Sequence, residues 1–176
     1  MGLTYNYHEI IYSICALSKI EKHIWLEVGC NTAMLSTRML SLFDKVIGLD
    51  IIKLFSNDRI IFYNERTDDF FKHFSEKPDV IFIDADHSFE SVKKDFDNSI
   101  KILNKGGIIF LHDTDPDTYT YLNELHCSDC YKIVDWIKNN YKDLDIITLP
   151  LDGAGLSIVR RNVDRKVLEL LKKDNE

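Results

Sequence analysis

The hydrophobic positions near the start of the chain follow a helical pattern that gives way to an extended one. Apolar residues recur at the spacing of one helix face, at Tyr7, Ile10, Ile11, Ile14 and Leu17. This spacing predicts an amphipathic helix over residues 7–20. Residues 24–29 form a short apolar run that ends in glycine, and residues 34–42 return to helical spacing. The first quarter of the chain is therefore predicted as helix, strand, tight turn and helix.

The same alternation continues along the chain. Extended runs lie near residues 45–50, 60–64, 79–84 and 107–112, with helical patterns near 68–75 and 88–104. After a polar loop at 113–128, the pattern predicts a helix near 129–141, strands at 145–149 and 156–160, and a final helix over 164–172. Apolar strands that alternate with helices are typical of a parallel sheet covered on both faces. We therefore predict an α/β fold, a doubly wound sheet closed by an antiparallel pair of strands.

Length and charge narrow the class of protein. The 176 residues predict one domain over residues 1–176. The 22 Lys and Arg residues against 29 Asp and Glu give a net charge of −7, which works against binding to nucleic acid or to an anionic membrane. Since no apolar run reaches the length of a membrane span and the first residues lack a signal-peptide pattern, we expect a cytoplasmic protein.

Polar residues follow the predicted strands, where doubly wound sheets bind their ligands. The first strand ends in Gly29, which permits a tight turn into the next helix. The second ends in Asp50, 21 residues after Gly29, the placement expected for a carboxylate that binds ribose hydroxyls. Because the loop lacks the later glycines of a dinucleotide-binding motif, a pyrophosphate is a poor fit. The pair predicts a nucleoside cofactor.

At these residues the chain resembles the class I S-adenosylmethionine-dependent methyltransferases, from Glu27 and Gly29 through Asp50 to Gly106 and Gly107. The resemblance covers nearly the whole length and implies a Rossmann-like seven-stranded, mostly parallel sheet with one antiparallel strand at the C-terminal end. Residues 83–95 and 103–113 are similar to the small-molecule O-methyltransferase subgroup, which includes macrolide sugar O-methyltransferases and cephalosporin hydroxylase-like proteins. The expected cofactor is S-adenosylmethionine, and the expected partner is a small-molecule acceptor.

The resemblance also implies roles for individual residues. Gly29 would border the methionine part of the cofactor, Asp50 would hold the ribose, and Thr67 or Asp68 would lie near the adenine. The whole implied cofactor site comprises Glu27, Gly29, Asn31, Asp50, Ile51, Thr67, Asp68 and Asp84. The family usually has glycine where this chain has Ala33, so we expect the Ala33 methyl group to crowd the cofactor.

The chemistry is expected where the fourth and fifth strands end. Titratable side chains cluster there, at Asp84, Asp86, His87, His112, Asp113 and Asp115. An oxygen nucleophile needs a base, a divalent cation, or both before it attacks a methyl group. The resemblance implies Asp84, His112 and Asp113 as metal ligands, with His87 and Asp84 as the catalytic residues. Magnesium or manganese is the expected metal, and the imidazole of His112 favours manganese over magnesium.

Other interpretations stay open at this stage. Helix capping and loop solvation also account for Asp84 and Asp113, and packing accounts for His112. The Cys127 and Cys130 pair lacks the second pair of ligands that a structural zinc needs, so an ordinary junction between loop and helix is expected. A nucleoside-binding domain without catalysis and a hydroxylase-type enzyme remain as alternative functions. The chain has few residues for a lid, so the acceptor pocket is either open or completed by a second copy in a homo-oligomer.

Overall fold

The computed structural model describes residues 6–123 and 126–161. Seven strands form one sheet: β1 (Ile24–Val28), β2 (Lys45–Asp50), β3 (Ile60–Asn64), β4 (Val80–Ile83), β5 (Ile108–His112), β6 (Leu144–Leu149) and β7 (Leu156–Arg161). The strand order across the sheet is β3-β2-β1-β4-β5-β7-β6. Strand β7 is antiparallel to both β5 and β6, whereas β1 to β5 pair in parallel. The predicted fold class is therefore confirmed.

Helices cover both faces of the sheet: α1 (Asn6–Leu17), α2 (Met34–Met39), α3 (Thr67–His73), α4 (Phe89–Ile102) and α5 (Ile133–Asn140). One core cluster packs the sheet against α3, α4 and α5, and a second packs the opposite face against α1 and α2. Alternation along each strand divides the side chains between the two clusters, because successive residues point to opposite faces. In β1, Leu26 and Val28 join the first cluster and Trp25 joins the second.

The largest differences between predicted and observed boundaries are at three helices. Helix α2 ends at Met39 instead of residue 42. Helix α1 ends at Leu17 instead of residue 20, where the Lys22 ammonium binds the carbonyl oxygens of Ser18 and Ile20. The helix predicted near 129–141 is divided into a 3₁₀ turn, Cys130–Lys132, and α5. The helix predicted over 164–172 lies outside the described residues. No helix in the described part of the chain is long and apolar enough to cross a bilayer.

Strand register brings the predicted site residues to one edge of the sheet. Val28 pairs with Leu49 on one side and with Ile83 on the other, and Ile83 pairs with Leu111. Four neighbouring strands therefore end at nearly the same level. The residues that follow these pairs approach one another, although they are far apart in sequence.

Candidate functional site

A cavity of about 1640 Å³ opens at the carboxyl ends of the parallel strands. Typical small-molecule sites measure roughly 300–1,000 Å³, so this cavity has space for a nucleoside cofactor beside an acceptor. Nearly all residues predicted for the site line it, and these are Gly29, Asn31, Asp50, Ile51, Thr67, Asp68, Asp84, His87, His112 and Asp113. Glu27 is the exception. Of the other two acids predicted at these strand ends, Asp86 lines the cavity and Asp115 does not.

Gly29 is required by a close approach of two loops. Its φ of +83° lies in the left-handed region, and a Cβ atom on it would lie 2.2 Å from the carbonyl oxygen of Asp84. The backbone N–H of Asp84 donates a 2.9 Å hydrogen bond to the carbonyl of Val28. The loop after β1 therefore lies directly against the loop after β4, where a side chain larger than hydrogen does not fit.

The carboxylate of Asp50 is oriented by two backbone groups. One oxygen accepts a 2.8 Å hydrogen bond from the N–H of Asn31, and the other accepts a 3.2 Å bond from the N–H of Ile52. Asn31 has a φ of +43°, a conformation that asparagine tolerates better than most residues. Each carboxylate oxygen has a second lone pair that can accept from a ligand hydroxyl.

Glu27 points away from the cavity. Alternation along β1 places its side chain on the same face as that of Trp25, beneath α2, where it is 4% exposed. It accepts a 2.9 Å hydrogen bond from the backbone N–H of Ser36 and a second bond from the Ser36 hydroxyl. Burial raises the pKa of the Glu27 carboxyl to about 8, although the Ser36 bonds act in the opposite direction. Glu27 thus anchors the start of α2 and does not line the cavity.

Ala33 also lies outside the cavity lining. Its side chain is fully buried in the core cluster beneath α1 and α2. Its φ of +54° places it in the left-handed region, which costs a non-glycine residue about 1–2 kcal/mol. The expectation that the Ala33 methyl group crowds the cofactor is therefore wrong, because the methyl group packs into the core.

Thr67 and Asp68, the residues predicted to lie near the adenine, are at the start of α3. The hydroxyl of Thr67 hydrogen-bonds the carboxyl of Asp95, and Asp68 forms a 2.5 Å ion pair with Lys94. Asp95 is buried, and burial raises its pKa to about 6 despite the Thr67 bond. These contacts connect α3 to α4 along one wall of the cavity.

Two carboxylates and two imidazoles form a compact group at the other end, here called the acid–imidazole cluster: Asp84, His87, His112 and Asp113. The Nε2 atom of His87 lies 3.3 Å from Asp113 Oδ2 and 3.8 Å from Asp84 Oδ1. The Nδ1 atom of His112 lies 3.3 Å from an oxygen of each carboxylate. The cluster contains the two residues predicted to be catalytic and the three predicted to be metal ligands.

His87 is oriented by a backbone carbonyl. Its Nδ1 contacts the carbonyl oxygen of His126, which can only accept a hydrogen bond. Nδ1 therefore donates a proton to this carbonyl, and Nε2 is the ring nitrogen that faces the two carboxylates. A backbone partner of this kind is typical of metal-binding histidines.

Asp84, His87 and Asp113 are the residues of the cluster whose potential ligand atoms come together. One donor atom from each lies within 4.8 Å of the others. The predicted third ligand was His112, and the structure brings His87 into this set in its place. Burial alone would lower the pKa of His112, but Asp84 and Asp113 together raise it to about 10. Without a metal, this shift favours the imidazolium form of His112 between the two carboxylates, and its role as a metal ligand stays a prediction.

Two contacts of the cluster were not expected from the sequence. The Tyr7 ring lies over the His112 ring, with 4.2 Å between centroids. The Cys127 thiol lies 3.4 Å from Asp113 Oδ1. The C-x-x-C spacing of Cys127 and Cys130 is visible in the sequence. The sequence does not show that this loop lies against the end of β5, next to Asp113.

Comparison with known proteins agrees with this geometry. Residues 28–114, which contain the cavity edge from β1 to the end of β5, match a protein family described as a methyltransferase domain. The matched segment is just under half of the chain and identifies a methyltransferase domain, in agreement with the resemblance to the class I S-adenosylmethionine-dependent methyltransferases. No curated protein sequence is significantly similar to the chain.

Solved structures share the methyltransferase fold at low sequence identity. A Corynebacterium glutamicum protein has a TM-score of 0.70 at 15% identity, over 93% of this chain and 84% of its own. An O-methyltransferase from Streptomyces achromogenes involved in tomaymycin synthesis, in complex with S-adenosylmethionine, has a TM-score of 0.70 at 11% identity, over 92% and 82%. An rRNA methylase from Streptococcus thermophilus has a TM-score of 0.65 at 8% identity, over 92% and 99%.

Proposed function

We propose that this methyltransferase transfers a methyl group from S-adenosylmethionine to a hydroxyl oxygen of a small molecule. In this proposal the hydroxyl is activated at the acid–imidazole cluster, and a divalent cation assists. The observation that carries the proposal is the meeting of Asp84, His87 and Asp113 at one end of a cavity whose other end has the features of a nucleoside site.

The nucleoside end of the cavity fits the cofactor. Asp50 has fixed carboxylate oxygens for the ribose hydroxyls, and the exposed side chain of Ile51 offers an apolar surface beside it. Among the described residues that line the cavity, ten carboxylates face three Lys or Arg side chains. This excess of negative charge attracts a cofactor with a sulfonium and an ammonium group.

The donor set fits a divalent metal. Carboxylate oxygens suit magnesium, and the addition of one imidazole nitrogen moves the preference towards manganese, iron or zinc. The His87 ring has its second nitrogen fixed by the His126 carbonyl, as a ligand requires. A bound cation would lower the pKa of the acceptor hydroxyl.

The residues of the cluster have different roles in the proposed reaction. The backbone of Asp84 lies against Gly29 and its carboxylate lies in the cluster, so Asp84 is placed to orient the acceptor beside the cofactor. Nε2 of His87 can hold either a cation or the hydroxyl proton, but not both at once. If it takes the proton, the Asp113 carboxylate 3.3 Å away stabilises the imidazolium.

The charge of the cavity also bears on the acceptor. One structural relative is an O-methyltransferase and another is an rRNA methylase. The ten carboxylates around the cavity and the net charge of −7 would repel the phosphates of RNA. A small acceptor without several negative charges is the better match. A nucleoside-binding domain without catalysis would not need the acid–imidazole cluster.

Calorimetry tests the two halves of the proposal separately. We expect the parent protein to bind S-adenosylhomocysteine in the absence of metal and to bind Mn²⁺ in the absence of the nucleoside. Asp84→Asn should weaken Mn²⁺ binding at least tenfold, and His87→Ala should do so if Nε2 is a ligand. Undiminished Mn²⁺ affinity in His87→Ala would assign Nε2 to the proton. A parent protein that binds no S-adenosylhomocysteine would contradict the methyltransferase function.

A further inference from the structure

The segment of residues 126–130, which contains the two cysteines of the C-x-x-C spacing, folds against the acid–imidazole cluster. The His126 carbonyl contacts His87, and Asp129 accepts a 2.7 Å hydrogen bond from the backbone N–H of Phe89 at the start of α4. Cys127 and Cys130 both contact Asp113. The proposed function assigns no role to either thiol.

The two thiols bind different parts of Asp113. The Sγ atom of Cys127 lies 3.4 Å from Oδ1 of the carboxylate, and Sγ of Cys130 lies 2.9 Å from the main-chain carbonyl oxygen. Both cysteines are buried and free. A thiol is a weak hydrogen-bond donor and a carboxylate oxygen can only accept, so the Cys127 thiol is the donor of this contact.

Asp113 lies at a turn where both thiols reach it. Its φ of +59° is in the left-handed region, which aspartate tolerates better than most residues. The Cys130 thiol holds its carbonyl, and Oδ1 is contacted by the Cys127 thiol and, at 3.3 Å, by Nδ1 of His112. Oδ2 is then the oxygen 3.3 Å from Nε2 of His87. A residue that fixes one carboxylate oxygen determines where the other one points.

We propose that Cys127 is a positioning residue, whose thiol holds Oδ1 of Asp113 so that Oδ2 faces His87. The inference rests on the proposed function only where it predicts an effect on metal binding. Loss of a partner that orients a ligand typically weakens metal binding roughly 10- to 100-fold.

Three variants of Cys127 test this role. Cys127→Ala removes the donor, Cys127→Val removes it while filling much of the space, and Cys127→Ser restores a hydroxyl donor. Cys15→Ala is the matched control, because Cys15 is equally buried but lies in α1 outside the cavity lining.

The first measurement uses the metal-free protein. The ¹⁵N resonances of the His87 and His112 rings report directly on the position of the Asp113 carboxylate. We expect them to shift in Cys127→Ala and Cys127→Val, to return towards the parent values in Cys127→Ser, and to stay unchanged in Cys15→Ala. If Cys127→Ala does not fold, the ring resonances of Cys127→Val and Cys127→Ser give the same comparison. The proposal would be overturned if the ring resonances do not shift in Cys127→Ala and Cys127→Val, or if Cys127→Ser does not restore them.

The second measurement is a Mn²⁺ titration of the same variants. The Mn²⁺ dissociation constant should rise about tenfold or more in Cys127→Ala and return to within a few-fold of the parent in Cys127→Ser. An equal loss in Cys15→Ala would mean a general packing effect and would contradict the proposal. If the parent binds no Mn²⁺ while the ring resonances behave as expected, the metal site of the proposed function fails and the positioning role of Cys127 stands.

Discussion

The carboxylate of Asp50 accepts a 2.8 Å hydrogen bond from the backbone N–H of Asn31, which ties the end of β2 to the loop after β1. The contact fixes the carboxylate at the edge of the cavity before any ligand arrives. A preorganised acceptor loses little conformational entropy when a ribose binds.

Replacement of Asp50 should therefore act on cofactor affinity. Two charge-assisted hydrogen bonds to ribose contribute about 1.5–3 kcal/mol each, so Asp50→Ala should raise the dissociation constant of S-adenosylhomocysteine at least tenfold. Asp50→Asn, which keeps one carbonyl acceptor, should have a dissociation constant between those of the parent and Asp50→Ala. Calorimetry measures the constants, with Asp58→Ala in an exposed loop outside the cavity lining as control. Parent-like affinity in Asp50→Ala would show that the ribose binds elsewhere.

Substitution of His112 should change the Mn²⁺ affinity in opposite directions for the two roles that this residue could have. If its imidazolium compensates the carboxylates, His112→Gln removes a positive charge 3.3 Å from oxygens of Asp84 and Asp113, and Mn²⁺ should bind about tenfold more tightly. If His112 is a ligand, the same substitution should weaken Mn²⁺ binding. Electron paramagnetic resonance of free Mn²⁺ distinguishes the two, and His23→Gln, which is exposed and outside the cavity lining, is the control.

Glu27 should make stability depend on pH. Its pKa is 4.5 in the unfolded chain and about 8 in the folded protein, so between these values the folded state binds the extra proton. The free energy of unfolding should therefore fall as pH rises from 4.5 to about 8, by up to about 1.4 kcal/mol per pH unit.

The substitution Glu27→Gln removes this dependence, because glutamine stays neutral. Urea denaturation at several pH values should give a shallower decrease for Glu27→Gln than for the parent. The control is Glu90→Gln, on the exposed surface of α4, which should keep the parent slope. Identical slopes in the parent and in Glu27→Gln would mean that Glu27 ionises normally in the folded protein.

Ala33→Gly restores the residue usual in the family. Glycine removes the cost of the left-handed φ but also loses a buried methyl group and gains unfolded-state entropy, so stability should change by less than about 1 kcal/mol. Cofactor affinity should stay within about twofold, since the Ala33 methyl group lies in the core. Gly29→Ala is the contrasting variant, with an expected loss of about 3 kcal/mol or more from its collision with Asp84. A large gain of affinity in Ala33→Gly would show that the methyl group does obstruct the cofactor.

Much of the fold follows from the sequence because the strands are short, apolar and separated by helices. The edge that carries the site also follows, since parallel strands direct the residues after them to one side of the sheet. Asp84 and Asp113 were located in this way. The direction of Glu27 was also open to prediction, because period-two alternation places it beside Trp25 on the helix-covered face.

Contacts made by irregular segments were beyond the reach of pattern analysis. The Cys127 contact with Asp113 depends on the path of a loop that has no periodicity. Asp79 is a similar case at the opposite edge of the sheet, where its carboxylate accepts hydrogen bonds from the backbone N–H groups of His23 and Ile24. Such bonds join residues more than fifty positions apart, and no local sequence signal marks them.

The close approach of Gly29 to the Asp84 backbone has a thermodynamic consequence for any two ligands that contact these loops. A Cβ atom on residue 29 would lie 2.2 Å from the Asp84 carbonyl oxygen, so a shift of Asp84 towards residue 29 must also displace the turn after β1. If a cation bound at Asp84 changes the affinity for a nucleoside at that turn, the nucleoside must change the affinity for the cation by the same factor. Such coupling would pass through the backbone contact at Gly29.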